Sequence, residues 1–166
     1  MSGDLRLPVA LVPATDAHFA WLLGEAPAPP DLRLPPGGID EPWVYRWLRQ
    51  TLPTLGGVGS WLMVAGGELV GMCSYKGPPD DKGTGEIGYG VSPERRQLGH
   101  ATAAVALLVG EARADPRVSR LVAETALSNL ASQRVVEANG FSRTGTSHDA
   151  DEGEMVVWTL ELTAAP

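Results

Sequence analysis

The stretch "EIGYGVSPERRQLGHATAAV", residues 86–105, decides how the rest of the chain is read. Its first six residues, 86–91, read as a strand loosened by Gly88 and Gly90. Glycines inside a strand mark a bulge or the close approach of a second backbone or a ligand. Pro93 breaks the strand, Arg95 and Arg96 follow, and Gly99 leads into an alanine-rich run. That run predicts the longest helix of the chain over 97–115, with Leu98, Val105, Leu108, Val109 and Ala112 on one side and Pro116 closing it. A helix start leaves four N–H groups without intrahelical partners, and the aligned peptide dipoles add about half a positive charge there. Two arginines at that end are unfavourable unless an anion sits nearby. The stretch is therefore either a phosphate or pyrophosphate cradle at the carboxyl end of a strand, or an amphipathic helix whose first turn carries solvated arginines.

Phosphate-binding signatures of other kinds do not fit. The dinucleotide fingerprint wants three glycines in a strand-to-helix turn, and Pro93 stands at the third position while Gly88 and Gly90 lie within the strand. No Gly-Lys-Ser/Thr sequence exists for a Walker loop.

Outward from this stretch the chain alternates helices and strands. The run 6–13 predicts a first strand, and Thr15 or Asp16 caps a helix carrying Phe19, Leu22 and Leu23. Segment 26–38 holds five prolines and two glycines, which predicts an irregular exposed loop, expected to border the acceptor side of a site. Asp40 is expected to cap a helix with Pro42 in its first turn and Val44, Trp47 and Leu48 along one face. Gly66-Gly67 between two apolar runs predicts a hairpin, because both residues can adopt positive φ. Residues 120–125 predict a buried strand, Ser128 or Asn129 the cap of a further helix, and Gly140 its left-handed end. Two strands close the chain. The expected order is strand, two helices, three antiparallel strands, helix, strand, helix, two strands.

Bulk properties bound the function. A chain of 166 residues is one ordinary domain, read here as spanning 1–166. A net charge of −7 argues against nucleic acid as a partner. No apolar run reaches the ~20 residues of a membrane helix, and the start lacks the features of a signal peptide. One cysteine, Cys73, excludes an internal disulfide and points to a cytoplasmic setting. The three histidines, His18, His100 and His148, lack ligand spacing, so no metal is expected.

Residues 86–105 resemble the core motif of the GNAT (Gcn5-related) N-acetyltransferases, Arg/Gln-x-x-Gly-x-Gly/Ala opening a helix after a splayed strand, with Arg96, Gly99 and Ala101 at its defining positions. "NLASQRVVEANGF", 129–141, resembles the family's Asn-x-x-Ser…Gly-Phe segment, and the element order agrees. The similarity is greatest to the branch that includes the ribosomal-protein alanine acetyltransferases. It implies an α/β fold with a mixed, mainly antiparallel sheet, splayed between strands 4 and 5 and flanked by helices.

The resemblance also implies acetyl-CoA as cosubstrate and a primary amine, on a protein N-terminus or a small molecule, as acceptor, joined in a ternary complex. The main-chain N–H groups of Gln97, Leu98, Gly99, His100, Ala101 and Thr102, with Arg96 nearby, would hold the pyrophosphate. Pantetheine would run through a splay at a bulge near Gly90, beside Asn129 and Ser132. The N–H near Val91 would bind the thioester carbonyl. Glu86 is the expected base, with His148 and Asp149 as second choices. Ser132 is either a donor to the sulfur or a first-turn cap, because the position where many members carry a tyrosine is Val136. That departure keeps a second reading open, a non-catalytic acyl-CoA-binding or sensing module on the same fold. A homodimer through the terminal strands is a further possibility the resemblance allows. Trp43, Trp47 and Trp61 are read as core or as acceptor-pocket residues, and Cys73 as a buried small apolar side chain.

Overall fold

The computed structural model describes residues 7–162. In chain order these form β1 (Ala10–Pro13), α1 (Asp16–Leu22), α2 (Pro42–Thr51), β2 (Ser60–Ala65), β3 (Glu68–Tyr75), β4 (Thr84–Val91), α3 (His100–Ala114), β5 (Arg120–Ala126), α4 (Leu130–Ala138), β6 (Ser142–Asp149) and β7 (Gly153–Glu161). The element order is the expected one. The first strand is shorter than its apolar run, and Arg6 lies outside the described residues.

Local chemistry sets the boundaries. Thr15 caps α1: its hydroxyl accepts the His18 N–H while its own N–H donates to His18 Nδ1. The cap expected from Asp40 on α2 is not made. Asp40 Oδ1 accepts from the next residue, Glu41, which is the cap position and has no side-chain cap bond of its own. Gly66 and Gly67, at φ 57° and 77°, close the β2–β3 hairpin as their residue type predicts. Asn129 Oδ1 accepts the Ser132 N–H at 3.1 Å and so opens α4. In the proline-rich segment, Arg33 adds a single bridge to Glu68 that the loop reading did not include.

The seven strands lie in the order β1-β2-β3-β4-β5-β7-β6, and every neighbouring pair is antiparallel except β4–β5. Two cores cover the two faces. On one, Ala104, Val105, Leu108, Val109 and Ala112 of α3 and Val136 of α4 pack on Ile87, Leu121, Ala123 and Trp158. On the other, Phe19 of α1 and Tyr45 and Leu48 of α2 pack on Leu62, Leu69 and Met72. Helices on both sides thus leave the middle of the sheet, β3 to β5, enclosed. Trp61 belongs to the first core, edge-on to Tyr75 with ring centroids 5.8 Å apart.

Candidate active site

The parallel pairing of β4 with β5 runs only from Thr84↔Arg120 to Ile87↔Ala123. Beyond it, β5 stays paired with β7 as far as Ala126↔Met155, and β4 stays paired with β3 as far as Gly71↔Val91. Each strand keeps its outer neighbour and loses the other, so a slot opens between them. The splay is therefore where the sequence places it, but its cause differs from the expected one. The β3–β4 register passes Gly90 without a shift; the register break lies instead between β2 and β3, at Met63/Val64.

Register also decides where the β4 amides point. The N–H of Lys76 donates to Glu86 O and the N–H of Ser92 to Val70 O, both at 2.8 Å. Even-numbered residues of β4 therefore bond to β3. In an antiparallel ladder the alternate residues turn their N–H and C=O the other way, so Tyr89 and Val91 aim theirs into the slot. The Val91 carbonyl accepts a long bond, 3.4 Å, from Arg96 Nε.

Directly after β4 the chain makes one tight turn over Pro93–Arg95 and then enters α3. Helix 97–115 was expected; the helix begins at His100, and Gln97 and Leu98 precede it. Gln97 takes a left-handed φ of 63° and Gly99, the cap residue, one of 82°. The first intrahelical bond runs from Ala103 N–H to Gly99 O. With no side-chain cap, the N–H groups of His100, Ala101 and Thr102 open onto the slot's end. A side chain at Gly99 would meet nothing within 4 Å, so glycine is required there by its φ and not by crowding.

The two arginines part company. Arg95 Nε and Nη2 bond both oxygens of the buried Glu68 carboxylate, at 2.6 and 3.2 Å, which ties the turn to β3. Arg96 is exposed, and its guanidinium stands at the mouth of α3. The His100 ring is buried, and its Nε2 has no partner among the described residues, so what His100 offers the helix mouth is its main-chain N–H.

Across the slot, Ser132 sits in the first turn of α4. Its hydroxyl lies 2.8 Å from the Tyr89 hydroxyl, which also donates to Ser132 O at 2.9 Å. Burial pushes the Tyr89 phenol above its ordinary pKa, and the Ser132 hydrogen bond works against that shift. Val136, one turn further along α4, is wholly buried. Tyr89 was missed in the sequence reading. The available signal was its period-two relation to Ile87, which places both side chains on the α3–α4 face.

The opposite face of β4 carries Glu86. Its carboxylate is ion-paired with Lys76 Nζ at 3.3 Å, and both side chains remain about two-fifths exposed. Glu124, just past the last β4–β5 pair, accepts from Ser147 Oγ at 3.0 Å. Of the second-choice bases, His148 is exposed on edge strand β6. The Asp149 carboxylate accepts the N–H groups of Asp151 and Glu152 in the β6–β7 turn, which hold it below the usual carboxylate range. Cys73 is buried, and desolvation pushes its thiol up to about 12, so it carries no thiolate. Among the described residues no three His, Cys, Asp or Glu side chains come together as a metal site, and no helix is long and apolar enough to cross a membrane.

The sequence profile of the acetyltransferase (GNAT) domain matches residues 9–142, which span β1 to the start of β6 and hold every element around the slot. The chain belongs to the GNAT acetyltransferase family. The uncharacterized N-acetyltransferase YjdG of Bacillus subtilis is 34% identical over 87 residues, covering 51% of this chain and 52% of that protein. The chain thus matches about half the length of that relative. Among solved structures, the ribosomal L7/L12 alpha-N-protein acetyltransferase RimL in complex with coenzyme A superposes with a TM-score of 0.70 at 17% identity, over 93% of this chain and 94% of that one. The aminoglycoside acetyltransferase AAC(6')-Ib with acetyl-CoA gives 0.68 at 21%, over 93% of each. The putative acetyltransferase yncA of Salmonella typhimurium with acetyl-CoA gives 0.67 at 19%, over 95% of each. At these identities the likeness establishes the GNAT fold.

Proposed function

We propose that this GNAT chain is an N-acetyltransferase that moves an acetyl group from acetyl-CoA to a primary amine by direct attack in a ternary complex. One observation carries the reading: the slot-facing amides of Tyr89 and Val91 end beside the uncapped start of α3. A thioester arm and a pyrophosphate need these two features, a hydrogen-bonding edge and an anion cradle, in that order along one path. The complexes of acetyl-CoA and coenzyme A with structures of the same fold support this reading.

In this reading the pyrophosphate rests on the N–H groups from Gln97 to Thr102, with Arg96 adding formal charge. The Val91 N–H donates to the thioester oxygen and stabilises the oxyanion that forms on attack. Such a donor contributes several kcal/mol in a water-poor site. The amine nitrogen gives up a proton, through water, to Glu86, and bonds to the carbonyl carbon. The C–S bond then breaks with the electron pair on sulfur, and Ser132, held by Tyr89, supplies the proton to the thiolate. Asn129 fixes the Ser132 turn and lies where pantetheine passes. A second copy of the chain would pair along β6, the exposed outer edge of the sheet.

Calorimetric titration with coenzyme A tests the cradle. Binding is expected, weakening as salt is raised, and Arg96→Glu is expected to lower affinity about tenfold, since it replaces attraction by repulsion at a helix mouth. No heat at high micromolar coenzyme A overturns the reading, and unchanged affinity in the variant removes Arg96 from the cradle.

Tyr89→Phe keeps the ring and deletes only the hydroxyl that holds Ser132. Its expected effect is a fall in kcat of about tenfold at neutral pH, shrinking as the pH rises through the thiol range near ~8.5, where the leaving thiolate needs no proton. A deficit that is the same at every pH assigns Tyr89 a packing role alone.

A further inference from the structure

On the α2 side of β4, opposite Tyr89 and Ser132, Gly88 and Gly90 floor a cavity walled by Asp40, Val44, Trp47, Met72 and Lys76. It adjoins the slot at the residue before Val91. Asp40 Oδ2 lies 3.7 Å from where a Cβ on Gly90 would stand, so a carboxylate oxygen hangs over the strand beside the Val91 amide. The Asp40 main chain is fixed. Its N–H donates to the hydroxyl of the buried Tyr45 at 2.8 Å, and Ser92 Oγ, at the end of β4, donates to Gly38 O at 2.8 Å. The Glu41 N–H engages Oδ1 and leaves Oδ2 turned to the cavity. Asp40 has no ion-pair partner among the described residues, whereas Lys76, at the other end, is paired with Glu86.

The walls are apolar and partly aromatic. Trp47 remains 39% exposed despite its position on a helix that packs on the sheet, and Trp43, one turn before it, is 65% exposed. Large aromatics left accessible beside a charged cleft are placed to cover an organic group.

We propose that Asp40 and Trp47 form the acceptor pocket, and that it takes a small primary monoamine with an apolar substituent, an arylalkylamine being the fitting shape. The inference rests on the acetyl-transfer reading and deepens it. Asp40 receives the ammonium head beside Val91, and Trp47, Val44 and Met72 cover the apolar arm. A carboxylate facing an ammonium forms a charge-assisted bond, and a tryptophan face adds attraction to the cation. Lys76 closes the far end against a second ammonium, which disfavours diamines. Glu41, next to Asp40, adds negative potential against anionic acceptors, and a chain of waters past Lys76 carries the proton to Glu86. Asp40 therefore acts on acceptor binding and Glu86 on the chemical step.

Steady-state acetylation with phenethylamine, ethanolamine, putrescine and glycine, at saturating acetyl-CoA, tests the assignment. Phenethylamine is expected to show the highest kcat/KM. Asp40→Asn is expected to raise its KM about tenfold with kcat within about threefold, the loss of one charged hydrogen bond. Asp40→Glu, which keeps the charge, should recover part of the loss. Trp47→Ala should raise the KM of phenethylamine and leave that of ethanolamine unchanged. Acetyl-CoA affinity, read by calorimetry, should be equal in all variants, which also confirms that they are folded. A preference for putrescine, ethanolamine or glycine, or an unchanged KM in Asp40→Asn, overturns the assignment while leaving acetyl transfer standing. Failure of the unsubstituted protein to bind acetyl-CoA overturns acetyl transfer itself.

Discussion

Glu86→Gln is expected to lower kcat for acetyl transfer by about 100-fold, the lower end of what a positioned general base contributes. An amine acceptor is protonated at neutral pH, near the ~10.4 of a lysine, so attack needs a group to take its proton. Glu86 is on the strand that carries the slot-facing amides, and its side chain is on the face where the cavity proposed for the acceptor lies. The glutamine keeps size and hydrogen bonding but cannot accept the proton. A rescue variant separates this role from a structural one. Glu86→Asp, which keeps a carboxylate on the strand, should recover part of the lost kcat. Acetyl-CoA affinity should be unchanged. If kcat of Glu86→Gln stays within about twofold, Glu86 is not the base.

The second large effect falls on stability. Leu108 is fully buried in the middle of α3, among Val105, Ala112 and the β-strand side chains of the larger core. Leu108→Ala is expected to cost about 3–5 kcal/mol, because the removed methyls leave a cavity that neighbouring strands cannot fill. For a chain of this length that corresponds to a fall in Tm of about 10 °C, read by thermal or denaturant unfolding. Coenzyme A affinity of the folded variant should stay within about threefold, since the proposed cradle uses the main chain two turns away. A Tm shift below about 3 °C would show that α3 is held by contacts other than its apolar stripe.

The legible parts of the molecule were those written in local chemistry. The Gly66-Gly67 turn, the Thr15 and Asn129 caps and the glycine at 99 each satisfy a backbone demand that few residue types meet. The start of α3 was misplaced by three residues because Gln97 and Leu98 are good helix formers; what excludes them is the left-handed φ at Gln97. The assignment of Asp40 as a cap failed for a related reason, since its Oδ1 bonds the adjacent N–H and not one further into α2. The pairings that give the site its shape were not legible. Nothing local links Arg95 to Glu68, Lys76 to Glu86 or Tyr89 to Ser132, separated by 27, 10 and 43 positions. The place of the slot between β4 and β5 was legible through the family resemblance, with Gly88 and Gly90 hinting at a distortion, whereas its cause, the divergence of β4 and β5 toward different partners, was not.

The sheet thus has two kinds of unpaired rim. The outer kind runs along β1 and β6, and β6 faces solvent along its length, open to any extended chain that drifts past. The inner kind, from Tyr89 to Val91, sits between α2 on one face and α3 and α4 on the other. Bare backbone that would be a liability for self-association at the periphery is shielded there by helices on both faces.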